Sequence, residues 1–394
     1  MQDRHPVFNK FEVLTSDAVP VDIHWGFLGE LQRKHYDEGV AIALGLSPTQ
    51  YQPGQIRIGE VPALNDEYFE WIDVLESAVL AQDRFTMIEL GAGYGRWLVR
   101  GALATRCYHP EMPMRLIGVE AEPTHFEWMK QHFRDNKINP DEHELIEAAV
   151  DEKDGEVFFH DSGDPDSNYG QSIARDIQQP GETIRRVKAV SLTSILDKLD
   201  GVDLIDLDIQ GAEYIVLRSA IDALNRKVKR IHIGTHGHDI ERDLRKLFRE
   251  HGWYKANDYS CQTTALTEWG EVVFGDGVQT WINPLLSSVQ PTQAELGRLQ
   301  RMLCSLEQKN EHLEQKNEHL EQKNAHLQDQ LSQIQALLTK VEAEKSSLLV
   351  SKALADSQAE YSKAMIAAME SSKFWKIREM WFRLRQALGL DRLN

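Results

Sequence analysis

The chain has 394 residues, a formal net charge of −18 and three cysteines, a length that sets two or three folding units as the expectation. The acidic balance excludes a nucleic-acid surface, because neutralising phosphates needs clustered Lys and Arg. Cys107, Cys261 and Cys304 are too scattered for a metal spacing or a disulfide framework, so a reducing compartment fits best. The opening "MQDRHPVFNKFEV" lacks the apolar core of a signal peptide, and no run approaches the roughly 20 apolar residues of a membrane span. These features read as a cytoplasmic protein.

In chain order, residues 1–80 form an N-terminal cap region. Amphipathic helices are predicted at "GFLGELQRKHYDEGVAIALGL" and "NDEYFEWIDVLESAVL". From residue 81 to 285, short apolar runs alternate with helical patterns. "TMIEL" (86–90), "RLIGVE" (115–120), "ELIEAAV" (144–150), "VDLIDLDI" (202–209) and "KRIHIGTH" (229–236) read as buried strands. Between them "RWLVRGALATRC", "HFEWMKQHFRDN" and "EYIVLRSAIDALN" read as helices. Such alternation predicts an α/β fold, a mostly parallel sheet with helices on both faces, whose ligands bind beyond the carboxyl ends of the strands.

The first strand runs into Glu89-Leu90-Gly91-Ala92-Gly93-Tyr94-Gly95, a turn shaped to receive a ligand. NAD, a nucleotide phosphate and S-adenosylmethionine are the candidates. The dinucleotide fingerprint needs a third glycine where Arg96 stands, and the Gly-Lys-Ser/Thr end of a P-loop is absent. The pattern instead resembles the first motif of class I S-adenosylmethionine-dependent methyltransferases. Its glycines admit backbone N–H groups to the methionine end of a cofactor, and Glu89 is suited to attract an ammonium. Glu120 ends the second strand, where a carboxylate accepts hydrogen bonds from ribose hydroxyls; this supports an adenosine ligand without excluding NAD. Ala92, Ala121 and Ala149 complete the expected cofactor contacts. A bare strand–helix turn and a solvated strand-end glutamate are the bland readings.

The stretch "VDLIDLDIQGAEYIVLRSA" (202–220) resembles the signature of FkbM-type methyltransferases, with Asp208, Gly211, Ala212 and Glu213 in matching positions. Gln210 stands where an acid is usual, and Asp206 replaces a common lysine. "EAAVDEKDGEVFF" and "VKAVSLTSILD" also look like family segments, so the resemblance spans about residues 85–240. It implies a Rossmann-like class I methyltransferase sheet, S-adenosylmethionine as cofactor, and O-methylation of a glycan or a small hydroxylated acceptor. Asp208 and His236, at successive strand ends, are the catalytic candidates, with His236 the natural base. His232, His236 and His238 invite a metal reading with Asp208, but their spacing suits a strand end better than a ligand frame, and no metal is expected. "GDPDSNYGQS" (163–172) reads as a loop over the pocket mouth, with Asn168 and Tyr169 toward a sugar. The rival reading is a non-catalytic scaffold in which a degenerate Rossmann-like domain carries the C-terminal helix.

"NPLLSSVQPTQ", with Pro284 and Pro291, leads into a linker (286–298) and then a heptad repeat over 299–350. Leu306, Leu313, Leu320 and Leu327 take position d, and Asn310, Asn317 and Asn324 take position a. Glu at e and Lys at g attract across a parallel pair, so a parallel homodimeric coiled coil is expected. In the tail (351–394), Phe374, Ile377, Trp381, Leu384 and Leu388 share one helical face flanked by Lys376, Arg378, Arg383 and Arg385. This basic-aromatic helix suits the inner membrane surface, or docking to glycosylation machinery, since it resembles tails on some bacterial glycosyltransferases. Packing on its own dimer partner is the ordinary alternative.

Overall fold

A computed structural model describes residues 4–37, 39, 52, 54–161, 165, 169–174, 183–287 and 293–388. The chain divides into two units, Met1–Gln290 and Pro291–Asn394.

The first unit is built on seven strands: β1 (Phe85–Leu90), β2 (Met114–Glu120), β3 (Glu144–Glu147), β4 (Leu204–Leu207), β5 (Arg230–Thr235), β6 (Tyr254–Tyr259) and β7 (Gly277–Ile282). Their spatial order is β6-β7-β5-β4-β1-β2-β3. β3, β2, β1, β4 and β5 run parallel, and β7 lies antiparallel between β5 and β6. The order 3-2-1-4-5 is that of a doubly wound sheet, which reverses direction between β1 and β4 and leaves a crevice there. The fold is thus mixed α/β, as expected.

The central strand β1 is buried at every position, and its side chains alternate between the two faces of the sheet. Phe85 and Met87 of β1 join one apolar cluster with α1 (Glu67–Leu80) and α2 (Arg96–Tyr108), through Trp71, Leu75 and Leu98. Ile88 and Leu90 point the other way, into the cluster beneath α4 (Leu192–Asp197), α5 (Glu213–Ser219), α6 (Ile221–Lys227) and α7 (His238–Glu250). A third helix, α3 (Pro123–Asp135), seats Met129 and Phe133 on the first face. Each such large apolar side chain stabilises the fold by roughly 1.5–3 kcal/mol. The N-terminal segment shares this core through Val7, Phe8 and Phe27.

Several local expectations change. The first part of the helix predicted from Gly26 is replaced by a 3-10 turn, Phe27–Gly29, and a strand, Leu31–Arg33, paired with Ile23–Trp25, and helix begins only at His35. Leu28 and Gly29 there have φ of 63° and 78°, which no right-handed helix accommodates; residues 38 and 40–46 of that expected helix lie outside the described residues. The strand expected over 144–150 divides at Ala148. β3 stays in the main sheet, whereas Ala149–Asp151 joins Thr183–Ser191 and Gly155–Asp161 in a three-stranded sheet. "EYIVLRSAIDALN" forms two helices, α5 and α6, that meet at Ala220.

In the second unit α8 (Gln293–Ser371) is one helix of 79 residues, followed by α9 (Lys373–Ala387), whose N-cap Ser372 accepts from the Trp375 N–H. The d-position residues Leu313, Leu320 and Leu327 are exposed along α8, as are Phe374, Ile377, Trp381 and Leu384 along α9. Among the described residues no helix is long and apolar enough to cross a membrane.

Candidate active site

A cavity of about 640 Å³ opens at the carboxyl ends of β1, β2, β4 and β5. Its size suits an organic ligand, since such pockets span roughly 300–1,000 Å³. Glu89, Gly91, Ala92, Gly93, Glu120, Ala121, Ala149 and Asp208 all line it. Gly95, the remaining glycine, is the N-cap of α2 at φ 72°, where an added Cβ would lie 2.7 Å from Met129.

The turn is tight because the chain must pass beneath the end of β4. Gly91 has φ 78°, and a Cβ there would stand 1.8 Å from the carbonyl oxygen of Asp208. Only glycine fits both constraints. The Gly91 and Ala92 N–H groups both donate to the Val119 carbonyl at 3.0 Å, which ties the turn to β2. Gly93 donates to Glu120 Oε2 at 2.7 Å, and Glu122 N donates to Oε1 at 2.7 Å. Glu120 is therefore a fixed, buried carboxylate on the cavity wall, and burial raises its carboxyl to about 7.

Glu89 has a structural task beyond any ligand contact. Its oxygens accept from the Trp97 and Leu98 N–H groups at 3.3 and 3.0 Å, satisfying two orphan donors in the first turn of α2. Burial, then the nearby Asp206 carboxylate, pushes its carboxyl well above the usual range. Tyr169 stands on the rim, its ring stacked on His125 at 4.2 Å and its hydroxyl donating to the Tyr36 carbonyl at 2.6 Å. Asn168 lies outside the described residues.

The two catalytic candidates meet beside the glycine turn: Asp208 lines the cavity, and His236 Nε2 is 3.4 Å from Asp208 Oδ1. The ring is held from behind by Glu213, fully buried, whose Oε1 is 2.7 Å from His236 Nδ1 and also accepts from the Gly211 N–H at 2.9 Å. His236 Nε2 is buried without a hydrogen-bond partner and lies 3.7 Å from Asp276 Oδ1. Burial works against the charged ring, but the Glu213 hydrogen bond and the charges of Asp208, Glu213 and Asp276 outweigh it, raising His236 to about 9. Asp208 sits in the concave mouth with about half its side chain open to solvent, and crowding by protein raises it to about 6. At neutral pH the pair is a carboxylate beside an imidazolium.

The three histidines of "HIGTHGH" do not converge. His232 Nδ1 is 2.7 Å from Asp73, His236 faces Glu213 and Asp208, and His238 Nδ1 is 3.4 Å from Glu241. Sequence reading did not assign Glu213 a role, although it closes the "QGAE" segment; nor did it find Glu70, Asp206 or Asp276 on the same wall. For those three, nothing local marked them as partners.

Residues 109–254 match the family described as the methyltransferase FkbM domain. A relative from Jannaschia sp. (strain CCS1), provisionally named a methyltransferase, is 29% identical over 226 residues, spanning 55% of this chain and 79% of its own. A solved FkbM methyltransferase from Methylobacillus flagellatus KT aligns at 14% identity and a TM-score of 0.33, covering 50% of this chain and 44% of that one. The precorrin-6y C5,15-methyltransferase of Geobacter metallireducens GS-15 aligns at 13% identity and a TM-score of 0.33, covering 57% and 92%. The glycine turn precedes the matched segment.

Proposed function

From a chain that carries an FkbM methyltransferase domain, we propose an S-adenosylmethionine-dependent O-methyltransferase acting on a hydroxyl of a glycan or related hydroxylated metabolite. One observation carries the reading. A single cavity is lined by the glycine turn, Glu120 and Asp208, and behind Asp208 stand His236, 3.4 Å from it, and Glu213, 2.7 Å from the ring. The cofactor fits the side of the glycine turn because Glu120, fixed by the Gly93 and Glu122 N–H groups on the cavity wall, offers carboxylate lone pairs to ribose hydroxyls. Gly91, Ala92, Gly93, Ala121 and Ala149 would hold the rest of the cofactor.

Bound there, S-adenosylmethionine would supply an electrophilic methyl group for transfer to an acceptor oxygen, with S-adenosylhomocysteine as the leaving group. The protein's part is to align that oxygen and to take its proton. Alignment is worth about 7–11 kcal/mol in favourable model systems, and a general base about 10²–10⁴-fold. Asp208 is the group in basic form at neutral pH, so it takes the proton. His236, already charged, holds the Asp208 carboxylate in place while Glu213 fixes the ring. This reverses the roles expected from sequence, where the histidine was the natural base.

The exposed Leu and Asn seam of α8 would pair two chains in parallel, and α9 would bring the enzyme to an anionic membrane face or to glycan-assembling proteins in the cytoplasm. Incubation with methyl-labelled S-adenosylmethionine and extracted cell glycans tests the reaction. Label in a glycan methyl ether supports it; intact cofactor binding with no labelled hydroxyl compound overturns the O-methyl assignment.

A further inference from the structure

The floor of the cavity holds a second constellation that the methyl-transfer reading leaves unused. Strand register places Asp206 of β4 directly beside Glu89 of β1 and His232 of β5. Leu204 belongs to the cluster under α1, and Ile205 and Leu207 to the opposite one, so Asp206 faces α1 by the two-residue strand period. The same alternation turns His232 that way, since Ile231 and Ile233 face the other cluster. From α1 above, Glu70 points into the row. One ligand atom each from Glu70, Asp206 and His232 lies within 4.8 Å of the other two.

Three further observations separate this group from an ordinary acidic surface. Asp206 is 3% exposed and lines the cavity, its Oδ1 meets no N–H or alcohol donor, and its near partner is a second carboxyl, Glu70, which burial and Asp206 push well above the usual range. Leaving such an oxygen without a donor costs about 1–3 kcal/mol, more for a charged group. His232 is oriented from behind, with Nδ1 2.7 Å from Asp73 Oδ2, which leaves Nε2 as the ring atom for a cation. A carboxylate behind a histidine in this way is the usual support of a metal ligand. Finally, Arg230, which shares Asp73 with His232, is already committed: it bonds Asp73 at 2.7 Å and Glu76 at 2.6 Å.

We propose that Glu70, Asp206 and His232 form a divalent-cation site of the Mn²⁺ class, open to the cavity. Two carboxylates and one imidazole suit a borderline-hard ion better than a soft one. Asp208 lies two residues beyond Asp206 on the same wall, so the cation stands next to the proposed proton acceptor. An acceptor hydroxyl taken as a further ligand would lose its proton more readily to Asp208. This last step rests on the methyltransferase reading; the site itself does not.

The test is titration of Mn²⁺ alone into the full-length chain near neutral pH, following the resonance signal of the free hydrated ion. One Mn²⁺ per chain should be taken up, and Glu70→Gln and Asp206→Asn should each weaken uptake at least about tenfold. Circular dichroism and cofactor calorimetry on both variants report the fold, and Glu70, less buried than Asp206, is the safer of the two. Asp239→Asn, exposed on α7 and outside the cavity lining, should bind as the parent does. Absence of a stoichiometric site in the parent, or parental affinity in a folded Glu70→Gln, overturns the proposal. One-for-one displacement of Mn²⁺ by S-adenosylmethionine overturns it too, because it gives these carboxylates to the cofactor's ammonium. Failure to bind S-adenosylmethionine, with Mn²⁺ uptake intact, would remove the methyltransferase reading and leave the cation site standing.

Discussion

Gly91→Ala should be the most damaging small change in the cofactor turn. The new Cβ would lie 1.8 Å from the Asp208 carbonyl oxygen, whereas real Cβ atoms do not approach closer than 3.0 Å. Both partners are main chain, so the ends of β1 and β4 must part by more than 1 Å and lose the 2.9 Å bond from Asp208 N–H to the Leu90 carbonyl. Holding an alanine at φ 78° adds about 1–2 kcal/mol, and overpacking about 1–3 kcal/mol, so a loss of roughly 2–5 kcal/mol is expected. Gly93→Ala is the control two residues away. Its Cβ would meet only the edge of the Tyr169 ring at 3.3 Å, leaving mainly the cost of its φ of 51°. Urea unfolding, followed by the near-ultraviolet signal of buried Trp71, Trp97 and Trp281, measures both, and calorimetry measures S-adenosylmethionine affinity. Gly91→Ala should lose stability and binding together, whereas Gly93→Ala should lose about 1 kcal/mol and bind measurably. Equal behaviour of the two variants, or a parental Gly91→Ala, would refute the claim that the turn is wedged against β4.

Glu120→Ala should weaken S-adenosylmethionine binding by about 1.5–3 kcal/mol through lost charge-assisted bonds, and parental affinity would remove Glu120 from the cofactor site. Because burial raises the Glu120 carboxyl to about 7, parental affinity should strengthen as pH rises through that value, which calorimetry at several pH values would register. Turnover should rise through about pH 6 as Asp208 ionises and fall above about 9 as His236 loses its proton. Asp208→Asn should cost about 10²–10⁴-fold in kcat with little change in cofactor affinity; a rate climbing only near 9 would return the base role to His236. Truncation after residue 290, where the two units divide, should leave cofactor binding intact and yield a monomer by sedimentation, whereas a truncated dimer would move the pairing surface into the first unit.

What the sequence alone determined was whatever depends on neighbours a few residues apart. The short apolar runs of β1 and β2, the three glycines after Leu90, and the seven-residue repeat of α8 are local regularities, so strand, turn and long helix were legible directly. Even there the limit is physical: the pattern after Gly26 reads as a helix until the backbone at Leu28 and Gly29 turns left-handed, a choice made by packing. The chemistry of the site lay further out of reach. Asp208 and His236 were named as separate strand ends, but their contact and the buried Glu213 behind them depend on β4 and β5 lying in register. The row Glu89–Asp206–His232 comes from three strands far apart in the chain, and Asp73 supports His232 across a separation of 159 residues. Only the tertiary structure decides such groupings, because parallel strands are joined by long crossovers, and adjacency across the sheet leaves no period along the chain.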